Sequence, residues 1–196
     1  MVQVLKEELR HAILRAAQDE FMQYGYVSAS VKRIAEKVGV SVGNLYRYYA
    51  GKEALFDSVV NPVFDELESV IKNHVKQPLG NGEGHIFELV IHALTDIIGK
   101  IRIPLLILID SSKGTRHEDT VLKLHRMMAD NVANHLQAYN AKQGREVFAE
   151  RTAWPVSVAF MQGYFEIIRH HPDKEDCSNM VRQYVSFWYQ GLQAFF

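Results

Sequence analysis

Apolar side chains recur every three or four residues along almost the whole chain, which is the spacing of α-helices with one buried face. The first such segment runs from about Val4 to Tyr24, and Gly25 follows where a glycine commonly ends a helix. We find neither the alternation of polar and apolar positions that is typical of strands nor repeats or low-complexity tracts. The pattern therefore predicts an all-α fold of about nine helices.

Two short helices are predicted after the first one, and six longer helices follow them. Loop residues interrupt the apolar pattern at 77–84 and give the clearest break in the chain. Pro62 and Pro155 fall inside predicted helices, where each removes a backbone hydrogen bond and should kink or divide its helix. The six longer helices are predicted over residues 52–76, 85–100, 102–112, 118–141, 146–170 and 174–195.

Composition favours a folded protein, because 47% of the 196 residues are apolar and 23% are charged. The longest apolar run, at 103–109, is far shorter than the roughly 20 residues that cross a bilayer, so we expect no membrane partner. A signal peptide is not readable at the N-terminus, and the single cysteine, Cys177, cannot form an internal disulfide. These features favour a cytoplasmic location.

Charge is distributed unevenly along the chain. Residues 1–52 carry eight basic and five acidic side chains, whereas 53–196 carry fourteen and eighteen. Within 30–52, five basic residues accompany a single acidic one, Glu36. Such a local cationic segment favours a site for a polyanion, and the alternative is an ordinary solvated helix face.

The same segment, SVKRIAEKVGVSVGNLYRYYAGK, has the pattern of a helix-turn-helix. Ser28 or Ser30 can cap its first short helix and Ser41 its second, while Gly39 permits the positive φ of a tight turn. On the second helix, Asn44 could pair with an adenine edge, and a small Gly43 would let the backbone approach DNA closely. The alternative is a three-helix bundle that binds no DNA.

Beyond this segment, ILRAAQDEFMQYGY and SVKRIAEKVGVSVGNLYRYYAGKEALF resemble the N-terminal DNA-binding domain of the tetracycline-repressor (TetR) family. The resemblance covers roughly a quarter of the chain; Tyr49 stands where many members have Phe. It implies a base-reading role for Lys32, recognition positions at 42–44, and phosphate contacts from Ser30, Tyr46 and Lys52. The predicted DNA-binding residues are Ser30, Lys32, Ser41, Val42, Gly43, Asn44, Tyr46, Arg47, Tyr48 and Lys52.

The resemblance implies two domains, a helix-turn-helix DNA-binding domain at 1–52 and a ligand-binding and dimerisation domain at 53–196. Apolar residues in the last two predicted helices alternate in steps of three and four, which is typical of a bundle seam. We expect these stripes to pair with a second copy, and the alternative is that they pack within one chain. The predicted dimerisation residues are Trp154, Val158, Met161, Phe165, Ile168, Val181, Tyr184, Trp188 and Phe195.

A small-molecule pocket is indicated by polar side chains that interrupt apolar helix faces in the carboxy-terminal part. The alternative for each of them is an ordinary core or boundary position with local hydrogen bonds. The predicted ligand-binding residues are His92, Thr95, His125, Met128, Asn131, His135, Phe160, Gln162 and Tyr164.

Metal-binding and catalytic patterns are missing from the sequence: the nine histidines form no HExxH motif or paired Cys/His spacing, so no metal, cofactor or enzymatic activity is expected. The function indicated is a homodimeric transcriptional repressor that a small-molecule ligand releases from a near-palindromic double-stranded DNA operator. The alternative is a DNA-bound adaptor of the same fold whose carboxy-terminal domain binds a protein partner.

Overall fold

The computed structural model describes residues 2–74 and 83–193, and all regular structure within them is helical, which confirms the all-α prediction. A 3-10 helix at Glu150–Thr152 precedes the seventh α-helix. The α-helices are α1 (Val2–Ser28), α2 (Val31–Val38), α3 (Val42–Leu45), α4 (Lys52–His74), α5 (Glu83–Asp110), α6 (Thr120–Gln143), α7 (Ala153–His170) and α8 (Lys174–Gln193). The predicted loop at 77–84 lies outside the described residues except for its last two, which begin α5.

Glycines set the backbone direction near the end of α1 and at the end of α2. Gly25 has φ 67° and ψ 168°, so it interrupts α1 at the predicted place, and the helix resumes only to Ser28. Gly39 ends α2 in the left-handed conformation with φ 76°, which glycine adopts without steric cost. The two predicted turns at these glycines are therefore confirmed.

The two prolines that were predicted to kink or divide their helices, Pro62 and Pro155, do not do so, whereas a third proline, Pro104, follows a kink. α4 continues through Pro62 without a non-helical residue. Pro155 lies in the first turn of α7, because that helix begins at Ala153 rather than at 146, and a proline in a first turn removes no helical hydrogen bond. Pro104 cannot donate to the backbone four residues earlier, and Ile101 just before it departs from helical geometry with φ −138°. Ile101 lies between the two helices predicted at 85–100 and 102–112, so the predicted break is confirmed, and α5 consists of two helical segments that meet at this kink.

The backbone packs as two compact units with discontinuous boundaries. The first unit comprises Met1–Asp65 and Ile103–Thr120, and the second comprises Glu66–Arg102 and Val121–Phe196. Both α4 and α5 contribute residues to each unit, so the boundary falls inside helices rather than in a linker. The predicted functional boundary at 52/53 falls at the first residue of α4, thirteen residues before the first unit ends.

Each unit has its own apolar core. In the first, Phe56 is fully buried, with its ring centroid 5.0 Å from that of Phe21 and 5.2 Å from that of Tyr26. In the second, the fully buried Phe165 and the almost fully buried Tyr164 lie on α7 beside each other, with ring centroids 6.1 Å apart. Among the described helices, none is both long and apolar enough to cross a membrane.

Candidate nucleic-acid interface

The frame of the candidate interface is the pair of helices α2 and α3 with the turn between them. Each helix begins with a serine whose hydroxyl accepts from a backbone N–H of the first turn: Ser30 from Arg33 at 3.4 Å and Ser41 from Asn44 at 3.1 Å. Ile34 on α2 and Leu45 on α3 are buried to 1% and 0% exposure. Caps and buried anchors therefore hold the outer faces of these short helices in a fixed position.

The outer face of α3 carries most of the predicted DNA-reading residues. Gly43 is exposed, Asn44 and Val42 are half-buried, and Tyr46 is 48% exposed. The α-helix itself ends at Leu45, and the residues after it continue as a tighter turn. Exposed or half-buried positions are therefore available for contacts with a groove, and the DNA-reading roles of these residues remain predictions. The remaining members of the predicted set are also accessible: Ser41, Arg47 and Lys32 are exposed, and Ser30, Tyr48 and Lys52 are half-buried.

Two of the five basic residues of the cationic segment bind acidic residues of α1. Glu20 is 8% exposed, and its Oε1 accepts from the backbone N–H of Ser30 at 2.8 Å and from Nε of Arg33 at 2.8 Å. A guanidinium nitrogen of Arg33 also pairs with that oxygen, which raises the pKa of Arg33. Lys37 binds Asp19 at 2.6 Å. These side chains tie α2 to α1, and they are not free cations.

Sequence reasoning missed Glu20 and Asp19, because it counted charges only within 30–52. Glu20 is ten residues before Ser30 and thirteen before Arg33, so a local window cannot relate them. A signal existed in their position on α1, where Glu20 lies next to Phe21 of the buried stripe. An acidic residue at the edge of an apolar stripe commonly has a buried partner.

Lys52 also has a structural role. Its ammonium donates to the carbonyl oxygens of Val27 at 3.1 Å and Ala29 at 2.9 Å, and it lies 4.6 Å from the ring centroid of Tyr26. Burial lowers the pKa of Lys52, and the carboxylate of Glu20 opposes that effect. Lys52 therefore stabilises the end of α1, and one of its three N–H groups is left after the two carbonyl bonds.

Tyr49 replaces the phenylalanine of many related sequences, and the structure gives its hydroxyl a partner. The side chain is 4% exposed, and the hydroxyl donates to the carbonyl of Arg10 at 3.4 Å. The substitution thus adds a polar contact to α1 without removing the buried ring.

A second segment of the chain belongs to the same compact unit, and sequence reasoning did not connect it to the helix-turn-helix. The carbonyl of Ser111 accepts from the backbone N–H of Tyr26 at 3.1 Å. Asp57 of α4 binds Arg116 at 2.9 Å and Nε2 of His117 at 2.9 Å. The segment 103–120 is therefore bound to α1 by a backbone hydrogen bond and to α4 by two ion pairs, and in each case the partners are more than fifty positions apart in the sequence.

The predicted ligand residues divide by whether their polar atoms have partners. Asn131 donates from Nδ2 to the carbonyl of Ile71 at 2.7 Å, and the hydroxyl of Tyr164 donates to the carbonyl of Leu94 at 3.1 Å. His125 is 6% exposed, and its Nε2 has no hydrogen-bond partner among the described residues. The others are placed as follows: His92 is exposed, the Thr95 hydroxyl binds its own helix, and Met128, His135, Phe160 and Gln162 are half-buried.

Burial also affects two of the histidines and a tyrosine in this group. It lowers the pKa of His125 and of His135, because a charged imidazole loses its hydration there. It raises the pKa of Tyr164 well above its usual range. Burial therefore favours the neutral form of each of these side chains. No group of three or more potential metal ligands occurs among the described residues.

The predicted dimerisation residues divide by burial within the single chain. Met161, Phe165, Ile168 and Val181 are between 0% and 3% exposed, so they pack inside their own chain. Trp154 is 43% exposed; Val158, Tyr184 and Trp188 are half-buried, and Phe195 lies outside the described residues. Phe187 of α8, which the apolar repeat omits, is 74% exposed. A surface for a second copy would consist of this outer set.

Comparison with known proteins finds a match to the family described as "Bacterial regulatory proteins, tetR family" over residues 13–59. The HTH-type transcriptional regulator RutR of Escherichia coli is 43% identical over 56 residues, which cover 29% of this chain but only 26% of RutR. NalD, described as the secondary repressor of the MexAB-OprM multidrug efflux pump in Pseudomonas aeruginosa, has the same fold with a TM-score of 0.61. That comparison has 22% identity and covers 91% of this chain and 94% of NalD. PfmR, a TetR family transcriptional regulator from Thermus thermophilus, has a TM-score of 0.65 at 18% identity, over 89% of this chain and 91% of PfmR. Residues 13–59 thus match the DNA-binding domain of the tetR family of bacterial regulatory proteins, and the chain as a whole shares the helical fold of NalD and PfmR.

Proposed function

We propose that this protein is a homodimeric transcriptional repressor that binds a near-palindromic operator and is released from it by a small molecule. The observation that carries the proposal is the capped, anchored α3, in which Gly43 is exposed and Asn44 half-buried, with the exposed Tyr46 directly after it. The family match over 13–59 supports DNA binding by this face. In functional terms, residues 1–52 bind DNA and 53–196 bind the ligand and the second copy.

Sequence is read by α3 in the major groove. The amide of Asn44 pairs with an adenine edge, and the methyl groups of Val42 meet a thymine methyl. Gly43 has no heavy atom of the chain within 4 Å of where its Cβ would lie, so neither a side chain of its own nor a neighbouring residue fills the space beside its backbone. A rigid frame favours such readout, because little conformational entropy is lost when it docks.

Phosphates are bound by residues around this face. Arg47 is exposed and has no ion-pair partner within the described part of the chain, and Tyr46 is exposed beside it. Lys52 contributes with its remaining N–H, while its other two protons hold the end of α1. Lys32 is exposed but lies 3.8 Å from Glu36, so a phosphate or base contact from it competes with a weak surface pair.

Dimerisation uses the outward side of α8. Phe187 is a large apolar side chain that is 74% exposed on this helix, and covering it requires another surface. A second copy is the partner that the family fold favours, and a two-fold dimer places two recognition helices about 34–36 Å apart. Two half-sites of a near-palindrome then match the two copies.

Ligand release acts through the elements that contribute to both compact units. α5 passes from one unit to the other at the kink around Ile101, and its continuation, 103–120, is bound to α1 and α4 by the contacts of Ser111 and Asp57. A ligand that moves α5 therefore moves the helices that hold α2 and α3. To reverse a 99:1 preference for the DNA-bound form, the ligand must favour the other form by about 5.5 kcal/mol.

The test is fluorescence anisotropy of the purified protein with DNA from upstream of its own gene and with a scrambled control, at two salt concentrations. Tight binding to the first DNA alone, at two chains per site, is the expected result. Equal and salt-sensitive binding to both would contradict the proposed specificity for this DNA.

Two variants separate base reading from phosphate contact. Asn44→Ala should cost about 1–3 kcal/mol of operator binding and relax the sequence preference. Arg47→Ala should weaken binding to all DNA and lower the slope of log K against log salt by about one unit. Arg145→Ala, an exposed arginine after α6, is the matched control and should change neither. If Asn44→Ala weakened binding to every sequence equally, the proposed readout would be wrong.

An adaptor that binds DNA and a protein partner is the second candidate, because the 74% exposed Phe187 could equally be covered by another protein. Analytical ultracentrifugation separates the two. A dimer in which Phe187→Ala weakens self-association favours the repressor proposal, whereas a monomer that the substitution does not change favours the adaptor.

A further inference from the structure

Three buried side-chain nitrogens in the described part of the second compact unit have no hydrogen-bond partner: Nε of Arg102, Nε1 of Trp188 and Nε2 of His125. The side chain of His125, on α6, is 6% exposed, and its Nε2 makes no hydrogen bond with any of the described residues. Its ring centroid lies 6.2 Å from that of Trp154, with the two planes at 89°, and 6.5 Å from that of Phe165. Nε2 therefore lies beside aromatic rings and makes no hydrogen bond to the described part of the chain.

Such an arrangement is unfavourable for the isolated protein. A buried polar atom without a hydrogen bond loses its hydration and gains nothing in exchange. Native proteins contain few of these atoms, and they occur where a ligand, a water molecule or a catalytic step supplies the missing partner. Nε2 of His125 is thus available for a hydrogen bond to a ligand.

The neighbouring polar groups make this position distinct. Asn131, two turns further along α6, donates to the carbonyl of Ile71, and Tyr164 on α7 donates to the carbonyl of Leu94. Both are as deeply buried as His125, at 6% and 1% exposure. Of these three buried polar side chains, only His125 has a polar atom left over.

We propose that the ligand of this protein is an uncharged aromatic molecule with one hydroxyl group, which hydrogen-bonds to Nε2 of His125 beside the indole of Trp154. The inference rests on the proposed ligand-responsive function and names the chemical class and the anchoring atom. A hydroxyl fits because it can donate to or accept from Nε2, and so serves either tautomer of the imidazole.

The surroundings of His125 exclude a charged ligand. The neighbours of this imidazole are the rings of Trp154 and Phe165, and burial lowers its pKa. A buried ion without a partner of opposite charge is strongly disfavoured, so an anion or a cation would remain in water. The rings of Trp154 and Phe165 instead offer edges and faces to another aromatic ring.

Trp154 provides the entrance. It lies in the first turn of α7 and is 43% exposed, whereas Phe165 behind His125 is completely buried. A ligand that reaches His125 from this side contacts the indole, so the fluorescence of Trp154 reports its arrival.

The experiment compares three probes that share a propylphenyl group and differ in the para substituent, by tryptophan fluorescence and calorimetry: 4-propylphenol, propylbenzene and 4-propylbenzoate. In the wild-type protein the phenol should bind about tenfold more tightly than propylbenzene, the factor expected for one hydrogen bond, and the benzoate more weakly than either. In His125→Leu the phenol and propylbenzene should differ by less than about twofold. Trp154→Phe should remove the fluorescence change, and His170→Leu, at an exposed histidine of α7, should leave all three affinities unchanged.

Equal affinities for the phenol and propylbenzene, tighter binding of the benzoate, or binding of none of the three would overturn the inference. If His125→Leu fails to fold, the order of the probes in the wild-type protein and the retention of phenol binding in His125→Gln decide the question. DNA binding by the same preparations is measured in parallel. Specific DNA binding with no probe discrimination defeats this inference alone, whereas loss of specific DNA binding defeats the proposed function.

Discussion

The helix-turn-helix and the carboxy-terminal helices differ in whether their buried polar groups have hydrogen-bond partners. In the first region, Glu20 binds Ser30 and Arg33, Lys37 binds Asp19, and the polar groups that remain without partners are on the outside. In the second region, His125 is buried with Nε2 unpaired. Both arrangements rest on a well-packed apolar core, so the difference is one of polar chemistry.

This difference matches what each region has to recognise. A DNA duplex is a large, charged and solvated surface, so its reader needs exposed groups on a frame that ion pairs and caps hold still. A small uncharged molecule is recognised by being buried, so its reader needs an apolar site with a few polar atoms waiting for it. The polar atoms left without partners in each region therefore indicate the kind of ligand.

The largest expected effect tests whether the two cores are equivalent. Phe56→Ala in the first unit and Phe165→Ala in the second each remove a ring with 0% exposure, and each should lower the free energy of unfolding by about 3–5 kcal/mol. Urea unfolding followed by circular dichroism measures both. A cost below about 1 kcal/mol for either would mean that one core is loosely packed, and the comparison would then concern packing rather than polar groups.

The next prediction concerns how much the buried carboxylate of Glu20 contributes to stability. Glu20→Gln removes the charge that Ser30 and Arg33 share, and we expect a loss of about 1.5–3 kcal/mol of stability, the range for hydrogen bonds to a charged group. Asp19→Asn, which breaks the exposed pair with Lys37, is the control and should cost at most about 1 kcal/mol. Equal costs for the two variants would show that burial does not distinguish the two ion pairs.

Two helical glycines form a matched pair between the regions. A Cβ at Gly163 of α7 would lie 2.2 Å from the hydroxyl oxygen of Tyr184, so Gly163→Ala should cost about 1–3 kcal/mol by displacing that side chain. Gly43 of α3 has nothing within 4 Å of that position, so Gly43→Ala should leave stability unchanged or raise it by up to about 1 kcal/mol. Thermal unfolding measures both.

The Gly43 substitution has a second consequence that sharpens the comparison. The added methyl group lies on the face proposed to approach DNA, so operator affinity should fall although the protein is no less stable. Undiminished affinity in Gly43→Ala would mean that the backbone of α3 does not approach the groove closely.

The smallest effect is a dependence of stability on pH. Burial lowers the pKa of His125 below its ordinary value of 6.5, so the unfolded chain takes up a proton at a higher pH than the folded one. Stability from this group is therefore complete above about pH 6.5 and declines as the pH falls below that value. The urea midpoint should fall less steeply with decreasing pH in His125→Gln, and His170→Gln, at an exposed site, should keep the wild-type slope. An unchanged slope in His125→Gln would mean that this imidazole is protonated equally in both states.

Local signals in the sequence were sufficient for the first region. Ser30, Gly39 and Ser41 mark the ends of α2 and α3 because caps and left-handed turns depend on a few adjacent residues. The exposed face of α3 follows from the same local geometry. A local window did not show which basic side chains already have partners within the chain. Arg33 and Lys37 form ion pairs with residues of α1, and Lys52 donates to two carbonyl groups.

Periodicity was less informative for the carboxy-terminal helices. A stripe with steps of three and four is apolar whether it contacts a second copy or its own chain, and burial places Met161, Phe165 and Ile168 inside the chain. The apolar repeat also omitted Phe187, which the fold leaves exposed. Prolines were ambiguous for a similar reason, because their effect depends on where a helix begins, as Pro155 in the first turn of α7 illustrates.

The sequence by itself determined the helical class, the capped turn between α2 and α3, and the resemblance of the amino-terminal segment to the tetR family, because these depend on residues within a few turns of one another. Only the tertiary structure decided which polar groups are satisfied. Glu20 meets Arg33, Asp57 meets His117, and Nε2 of His125 meets nothing among the described residues. Hydrogen bonds act over about 3 Å of space, and the folded path of the chain, rather than its order, sets which atoms come that close.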